Sequence, residues 1–261
     1  MNRGRERGAT GTLVLIILIL IIVGVLATSV LQRLTTGSDD SNQSVRVLAA
    51  GADALEQFAA VNARLPCPAD PTLNTGVEDP LGGSTNCSFP EGTIPWNTVG
   101  MRYDDAFDGW GRKISYRVYA GNKGLTQPGG VSMVNCDTSA AGNADGAGLC
   151  LADHSTGTAK FFQGKGLTVN DDFGSNHSDV AYVLVSHGAT GLGAYTVSGV
   201  RMDLPAGDEK KNTKDTGPFA IHAFSDPDVA ATNGSHFDDL LFYRTLPDLV
   251  KRAGLSARDW P

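Results

Sequence analysis

An uninterrupted apolar run near the start of the chain constrains this protein more than any other feature. Residues 13–30 contain no charged side chain and almost no polar group. A bilayer core requires about 20 apolar residues of helix, and such a helix satisfies its own backbone hydrogen bonds in lipid. We therefore predict a transmembrane helix over residues 9–34. A cleaved signal peptide is the alternative, because Ala27-Thr28-Ser29 matches a small-x-small cleavage site, although signal-peptide apolar cores are shorter.

The charges beside this run predict its orientation. Three arginines precede it with one glutamate among them, whereas a single arginine and then two aspartates follow it. The positive-inside rule places the N-terminus in the cytoplasm and the rest of the chain outside it. The whole chain carries a net charge of −7 with no other basic block. Nucleic acid is therefore not an expected partner, since its binding needs a clustered positive face.

The four cysteines all follow the apolar run. Cys67, Cys87, Cys136 and Cys150 would thus lie on the oxidising side of the membrane. An even number of cysteines there indicates disulfides. Three pairings are open, of which Cys67–Cys87 with Cys136–Cys150 closes two local loops. A zinc site is the alternative, but the chain has no CxxC pair of the kind that such sites use.

The remaining pattern predicts an α+β domain. Residues 35–64 form an amphipathic continuation of the first helix, with apolar positions at three- and four-residue steps: Val45, Leu48, Ala52, Leu55 and Ala59. Residues 65–261 form a loop-rich domain with an antiparallel β-sheet and a short C-terminal helix over 246–254. Strands are predicted at residues 113–120, 158–163, 180–187, 194–200, 218–224 and 239–245 from their alternating apolar positions.

Three short motifs lie in a suggestive order behind the apolar run. RLPCPADP follows the predicted helix, GTIPWNTVGMRYDDAFDGWGRKISYRV spans residues 92–118, and VLVSHGATGLG precedes HFDDLLFYRT near the end. This arrangement resembles that of type IV pilin-like proteins, including minor pilins and the pseudopilins of type II secretion. The core of the second motif, Asp108-Gly109-Trp110-Gly111, resembles the DxWG turn of pseudopilins. We interpret this turn and Trp96 as structural, because a turn glycine and a covering indole need no ligand.

The resemblance implies a structural subunit of a bacterial envelope machine. It implies a leader over residues 1–8 with cleavage between Gly8 and Ala9, and cleavage after Gly11 is the alternative. It also implies a single-pass inner-membrane location with the sheet domain in the periplasm or a surface filament. The implied partners are membrane lipid, other pilin or pseudopilin subunits and inner-membrane assembly proteins. The chain departs from the family in lacking the glutamate usual at the fifth mature position, where Leu13 or Ile16 stands instead. This departure predicts a minor, tip-like subunit.

No enzymatic constellation is readable from the sequence. The five histidines form no HExxH pair, and Ser186-His187 lacks a GxSxG elbow. We expect no enzyme and no cofactor other than a possible calcium ion, for which the resemblance suggests loops near the last strands. The candidate ligands are Asp226, Asp228, Asp238 and Asp239, although no DxDxDG spacing is present. The alternatives in function are an anchored binding or adhesin domain that does not polymerise and an anchored periplasmic hydrolase.

Overall fold

The computed structural model describes residues 39–120, 124–128, 166–172, 174–214, 217–225 and 234–255. These residues form the predicted α+β fold. Helix α1 covers residues 39–62 of the described chain, and α2 is the C-terminal helix Leu246–Arg252. The described residues between them form the strands β1 Arg112–Lys113, β2 Ser115–Val118, β3 Leu167–Asp171, β4 Asn176–Ser186, β5 Tyr195–Thr196, β6 Phe219–Ile221 and β7 Leu240–Thr245. The same part of the chain includes the 3-10 helices Tyr103–Ala106 and Glu209–Thr213.

One face of α1 packs on the sheet, as its periodicity predicts. Its buried positions, together with sheet residues, form the larger core cluster: Leu48, Ala52, Leu55, Ala59, Ile114, Tyr116, Tyr182 and Leu184. Gly51 allows this face of α1 to lie close to the side chain of Ile94, since a Cβ at position 51 would be only 2.8 Å from Ile94 Cδ1. The prediction was wrong at Val45, which is 53% exposed, whereas Ser44 beside it is fully buried. Ser44 is buried because it makes polar contacts with a turn of the domain, described below.

A buried ion pair just after α1 joins Arg64, the first residue of the first motif, to Glu78. The Arg64 guanidinium donates from Nη1 and Nη2 to Glu78 Oε2 and Oε1, at 2.8 and 2.7 Å. The same carboxylate accepts from the backbone amides of Cys67 and Gly82. The predicted Cys67–Cys87 disulfide is present and closes this loop. Cys136 and Cys150 lie outside the described residues.

The main sheet is mixed, which corrects the prediction of an antiparallel sheet. β4 pairs antiparallel with β2, β3 and β7, but β6 lies parallel to β3, with Val169 opposite Phe219. β1 and β5 form a separate two-stranded antiparallel sheet. A local apolar pattern predicts which segments form strands, but it does not predict whether two paired strands run parallel or antiparallel. For β3 and β6, that direction depends on how the chain between them returns to the sheet edge.

The central position of β4 explains its sequence. Its residues from Val180 to Ser186 are all buried, and an apolar run without alternation is typical of a strand covered on both faces. One face joins the α1 side of the core, and the other forms a second cluster with β3 and β6: Leu167, Val169, Val180, Val183, Val185 and Phe219. Strand β3 was not predicted from the sequence, and the predicted strand at 158–163 lies outside the described residues.

Helix α2 begins and ends as its sequence predicts. The Thr245 hydroxyl accepts from the Asp248 amide at 3.4 Å, and Pro247 lies in the first turn. Gly254, with φ of 64°, follows the last turn.

The predicted transmembrane helix lies outside the described residues. Within them, no helix combines the length and the apolar character that crossing a bilayer requires.

Candidate functional site

The second motif forms a tight turn around one buried carboxylate. Asp108 Oδ1 accepts from the backbone amides of Trp110 and Arg112 at 3.0 and 2.8 Å, and its Oδ2 accepts from Ser186 Oγ at 2.9 Å. Burial raises the pKa of Asp108, although these hydrogen bonds and the Arg112 charge oppose the shift. Gly111 has a φ of 74°, the left-handed conformation that the sequence predicted for it. The carboxylate therefore joins the turn to the end of β4.

The same turn docks on α1. Ser44 Oγ accepts from the Gly109 amide at 2.9 Å and donates to the Asp40 carbonyl at 2.8 Å. A Cβ at Gly109 would overlap the Asp40 backbone, so only glycine allows this approach. The DxWG-like turn is thus a brace between the helix and the sheet.

The two tryptophans of this motif pack against other side chains of the domain. Trp96 packs on the larger core cluster and makes an edge-on contact with Tyr103, at 5.4 Å between ring centroids. Its indole also occupies the space that a side chain at Gly76 would need. Trp110 is half-buried, with the Arg112 guanidinium 6.0 Å from its ring centroid. These contacts agree with the structural interpretation of both residues.

Arg112 links the second motif to the third. Its guanidinium donates to the carbonyl oxygens of Gly188 and Ala189 in the turn after β4. Gly191 leaves the space that the guanidinium fills. The segment 186–191, which we call the β4 turn, therefore receives polar contacts from both Asp108 and Arg112.

A serine, a histidine and an aspartate meet at the start of this turn. Ser115 Oγ lies 3.0 Å from His187 Nε2, and His187 Nδ1 lies 3.4 Å from Asp239 Oδ1. Asn212 donates to the other oxygen of Asp239 at 2.8 Å. The order of contacts is that of a catalytic triad, but Ser115 and His187 are each 1% exposed. A substrate cannot reach Ser115 in this conformation, so the array serves as a buried polar network between β2, β4 and the segment before β7.

The sequence analysis considered Ser186 as the partner of His187 and missed Ser115. The two adjacent side chains in fact have different partners, because Ser186 bonds Asp108 and His187 contacts Ser115. Such divergence is expected for neighbours on a strand. The Ser115 contact joins residues 72 positions apart, and no local pattern in the sequence signals it.

The adjacent carboxylates Asp238 and Asp239 also diverge. Asp239 joins the buried network, whereas Asp238 lies in a group with Glu209 and His236 whose ligand-type atoms are within 4.8 Å of one another. Asp226 and Asp228, the other two predicted cation ligands, lie outside the described residues. Glu209 and His236 were not predicted; the spacing of His236 and Asp238 was the only local signal for a mixed ligand pair.

Glu209 is the most perturbed acid of this group. Burial, reinforced by the charges of Asp239 and Asp238, raises the pKa of Glu209 to about 8, against the opposing hydrogen bond from the Asp238 amide. That amide donates to Glu209 Oε1 at 2.7 Å. Asp238 itself accepts from the Thr190 amide and hydroxyl at 2.7 and 3.2 Å. The β4 turn thus positions this carboxyl cluster as well as the buried network.

Comparisons with family models, with curated proteins and with solved structures found no match. Gly8 and Ala9, the predicted processing site, lie outside the described residues.

Proposed function

We propose that this chain is a pilin-like structural subunit of a bacterial type IV pilus or type II secretion-type machine. Its apolar N-terminal segment anchors it in the inner membrane and then packs with the helices of other subunits. Its sheet domain faces the periplasm or the exterior. Its partners are other pilin or pseudopilin subunits, inner-membrane assembly proteins and lipid, and its role is assembly and not chemistry.

One observation carries this proposal, which is the two-sided character of α1. The domain covers one face of the helix, while apolar and small side chains are exposed among polar ones on the rest of it: Val45, Ala49, Ala50, Ala60 and Val61. Val61 is 84% exposed. A helix that continues an apolar anchor and leaves small apolar residues uncovered offers the close contact that neighbouring helices need.

The missing glutamate favours a minor subunit over the main polymer. In lipid an ionisable group normally has a partner, and neither Leu13 nor Ile16 offers a charge to a neighbour's amine. A terminal position in a head-to-tail assembly needs compatible contacts on only one side. We therefore place the chain at or near one end of its assembly.

Site-specific photo-crosslinking in native membranes tests the helix contact. A photoreactive residue at Val61, on the exposed side of α1, should give adducts with other pilin-like subunits. The same residue at Leu81, which is 77% exposed in a loop of the domain, is the matched control. Equal adducts from both positions, or none from Val61, would contradict the proposed packing and favour an anchored domain that does not polymerise.

Mass spectrometry of the mature chain tests the processing. The proposal expects a start at Ala9. An intact Met1, or a start near Val30 as a signal peptidase would produce, would contradict pilin-type handling. Immunogold labelling should find few copies, near one end of any filament, and uniform labelling along the filament would contradict the terminal position.

A further inference from the structure

The cluster of Glu209, His236 and Asp238 has the composition of a metal site. Each residue offers one ligand atom, and these atoms lie within 4.8 Å of one another. Glu209 comes from a 3-10 helix, whereas His236 and Asp238 come from the segment before β7. The set therefore joins two parts of the domain and mixes one ring nitrogen with two carboxylates.

The burial of Glu209 is an independent indication of a ligand. Its side chain is 2% exposed. Oε1 accepts from the Asp238 amide, but Oε2 is buried and has no hydrogen-bond partner. A buried carboxylate oxygen without a partner is costly, because it has lost its hydration and gained nothing in exchange. A cation bound by both oxygens of this carboxylate would remove that cost.

The second carboxylate is held in place by the β4 turn. The Thr190 amide and hydroxyl donate to Asp238 Oδ2 and Oδ1, and glycine at position 188 is the only residue that fits beside the Asp238 backbone and carboxyl. Hydrogen bonds of this kind, from groups outside the ligand set, orient the ligands of protein metal sites. The cluster remains reachable from solvent, because the side chains of His236 and Asp238 are 11% and 18% exposed.

The distances match a small cation. His236 Nε2 lies 3.9 Å from Glu209 Oε1 and 3.6 Å from Asp238 Oδ2. Four ligands at zinc bond lengths of about 2.0–2.1 Å in a tetrahedron are about 3.3 Å apart. The two separations from His236 are about 0.6 and 0.3 Å longer than this spacing, so the ligand side chains would move together to enclose the ion. Calcium instead takes about 6–8 oxygen ligands at longer range. Two carboxylates and an imidazole suit a transition metal better than calcium.

We propose that Glu209, His236 and Asp238 bind one Zn²⁺ ion, with water in the remaining position. The ion ties the 3-10 helix 209–213 to the segment before β7 and, through Thr190, to the β4 turn. Its role is structural reinforcement of the C-terminal half of the domain. The inference of this site does not rest on the proposed assembly function.

Metal titration of the untagged full-length chain in detergent tests this site. After chelator treatment, Zn²⁺ should bind at one equivalent by calorimetry and raise the thermal midpoint. Co²⁺, as a spectroscopic substitute, should give the visible absorption of a four-coordinate ion. Calcium at the same concentrations should give neither effect. Absence of one-equivalent zinc binding by the unsubstituted chain, or a preference for calcium, would overturn the proposal.

Three substitutions locate the ion. Glu209→Gln, His236→Gln and Asp238→Asn should each weaken zinc binding by at least 10-fold and abolish the cobalt spectrum. The matched control is His222→Gln, because His222 also contacts two carboxylates, Asp172 and Asp208, and lies outside the proposed set. Circular dichroism without metal checks that each variant is folded. Loss of binding in His222→Gln, or its retention in a folded His236→Gln, would place the ion elsewhere and refute the assignment.

Discussion

Removing the buried arginine at the end of α1 should strongly destabilise the domain. The side chains of Arg64 and Glu78 are only 8% and 2% exposed, and they are joined by two hydrogen bonds. Removing one member of a buried ion pair typically costs about 3–5 kcal/mol, because the other charge stays buried without its partner. In Arg64→Ala, the Cys67 and Gly82 amides still donate to Glu78. We therefore expect the lower end of that range, about 3 kcal/mol.

Urea unfolding of the full chain in detergent, with the disulfide intact and tryptophan fluorescence as the signal, measures this loss. With a slope of about 2 kcal/mol per M, a loss of about 3 kcal/mol lowers the midpoint by about 1.5 M. The matched control is Arg102→Ala, because Arg102 is 80% exposed and lies 3.6 Å from Asp104. An exposed pair contributes about 0–1 kcal/mol. Equal midpoints for the two variants would refute the assignment of a stabilising role to the buried pair.

Three further predictions concern the braced turn and the buried network. Gly109→Ala should destabilise the domain by about 1–3 kcal/mol, because its methyl group overlaps the α1 backbone. Gly234→Ala is the control, since its methyl group would lie 3.8 Å from the nearest atom beyond its chain neighbours, and its urea midpoint should be higher than that of Gly109→Ala. A serine-directed fluorophosphonate should leave Ser115 unlabelled in the folded chain, since that residue is 1% exposed. Detection of the label on Ser115 by mass spectrometry would favour the hydrolase alternative. Burial raises the pKa of Asp108 in the folded chain, so the folded state binds the carboxyl proton of Asp108 more tightly than the unfolded state does. The free energy of unfolding therefore falls as pH rises from about 4 through the raised pKa. Asp108→Asn should flatten that fall in urea midpoints measured across pH, whereas Asp105→Asn, at an exposed position, should leave it unchanged.

Elements with strong local signals could be predicted from the sequence. The helix stripe of Leu48, Ala52 and Leu55 was correct because a period near 3.6 residues exposes only one face to the core. The start and the end of α2 were indicated by Pro247 and Gly254, whose effects are local. The sequence left three cysteine pairings open, and Cys67–Cys87, from the pairing that closes local loops, is present.

Contacts between distant segments could not be predicted in the same way. β3, Leu167–Asp171, is short and ends in polar residues, so its local pattern is weak, and its parallel pairing with β6 depends on the path of the chain between them. Glu209 lies 29 residues before Asp238, and its carboxylate accepts a hydrogen bond from the Asp238 backbone amide. Glu209 lies between Asp208 and Lys210, and a charged stretch of this kind is typical of any solvated loop, so the residues beside Glu209 do not indicate a shared site.

The β4 turn gives these distant contacts a common physical origin. Because β4 is buried on both faces, the polar groups at its C-terminal end lie where water does not reach them. Each of these groups therefore needs a hydrogen-bond partner from the protein. Ser186 bonds Asp108, His187 contacts Ser115 and Asp239, and Thr190 bonds Asp238. Close approach around glycine at 188 and 191 makes room for Asp238 and Arg112. Since buried polar groups must be satisfied together, a change in this turn should affect the brace on α1 and the carboxyl cluster at the same time, which couples the helix side of the domain to the proposed metal site.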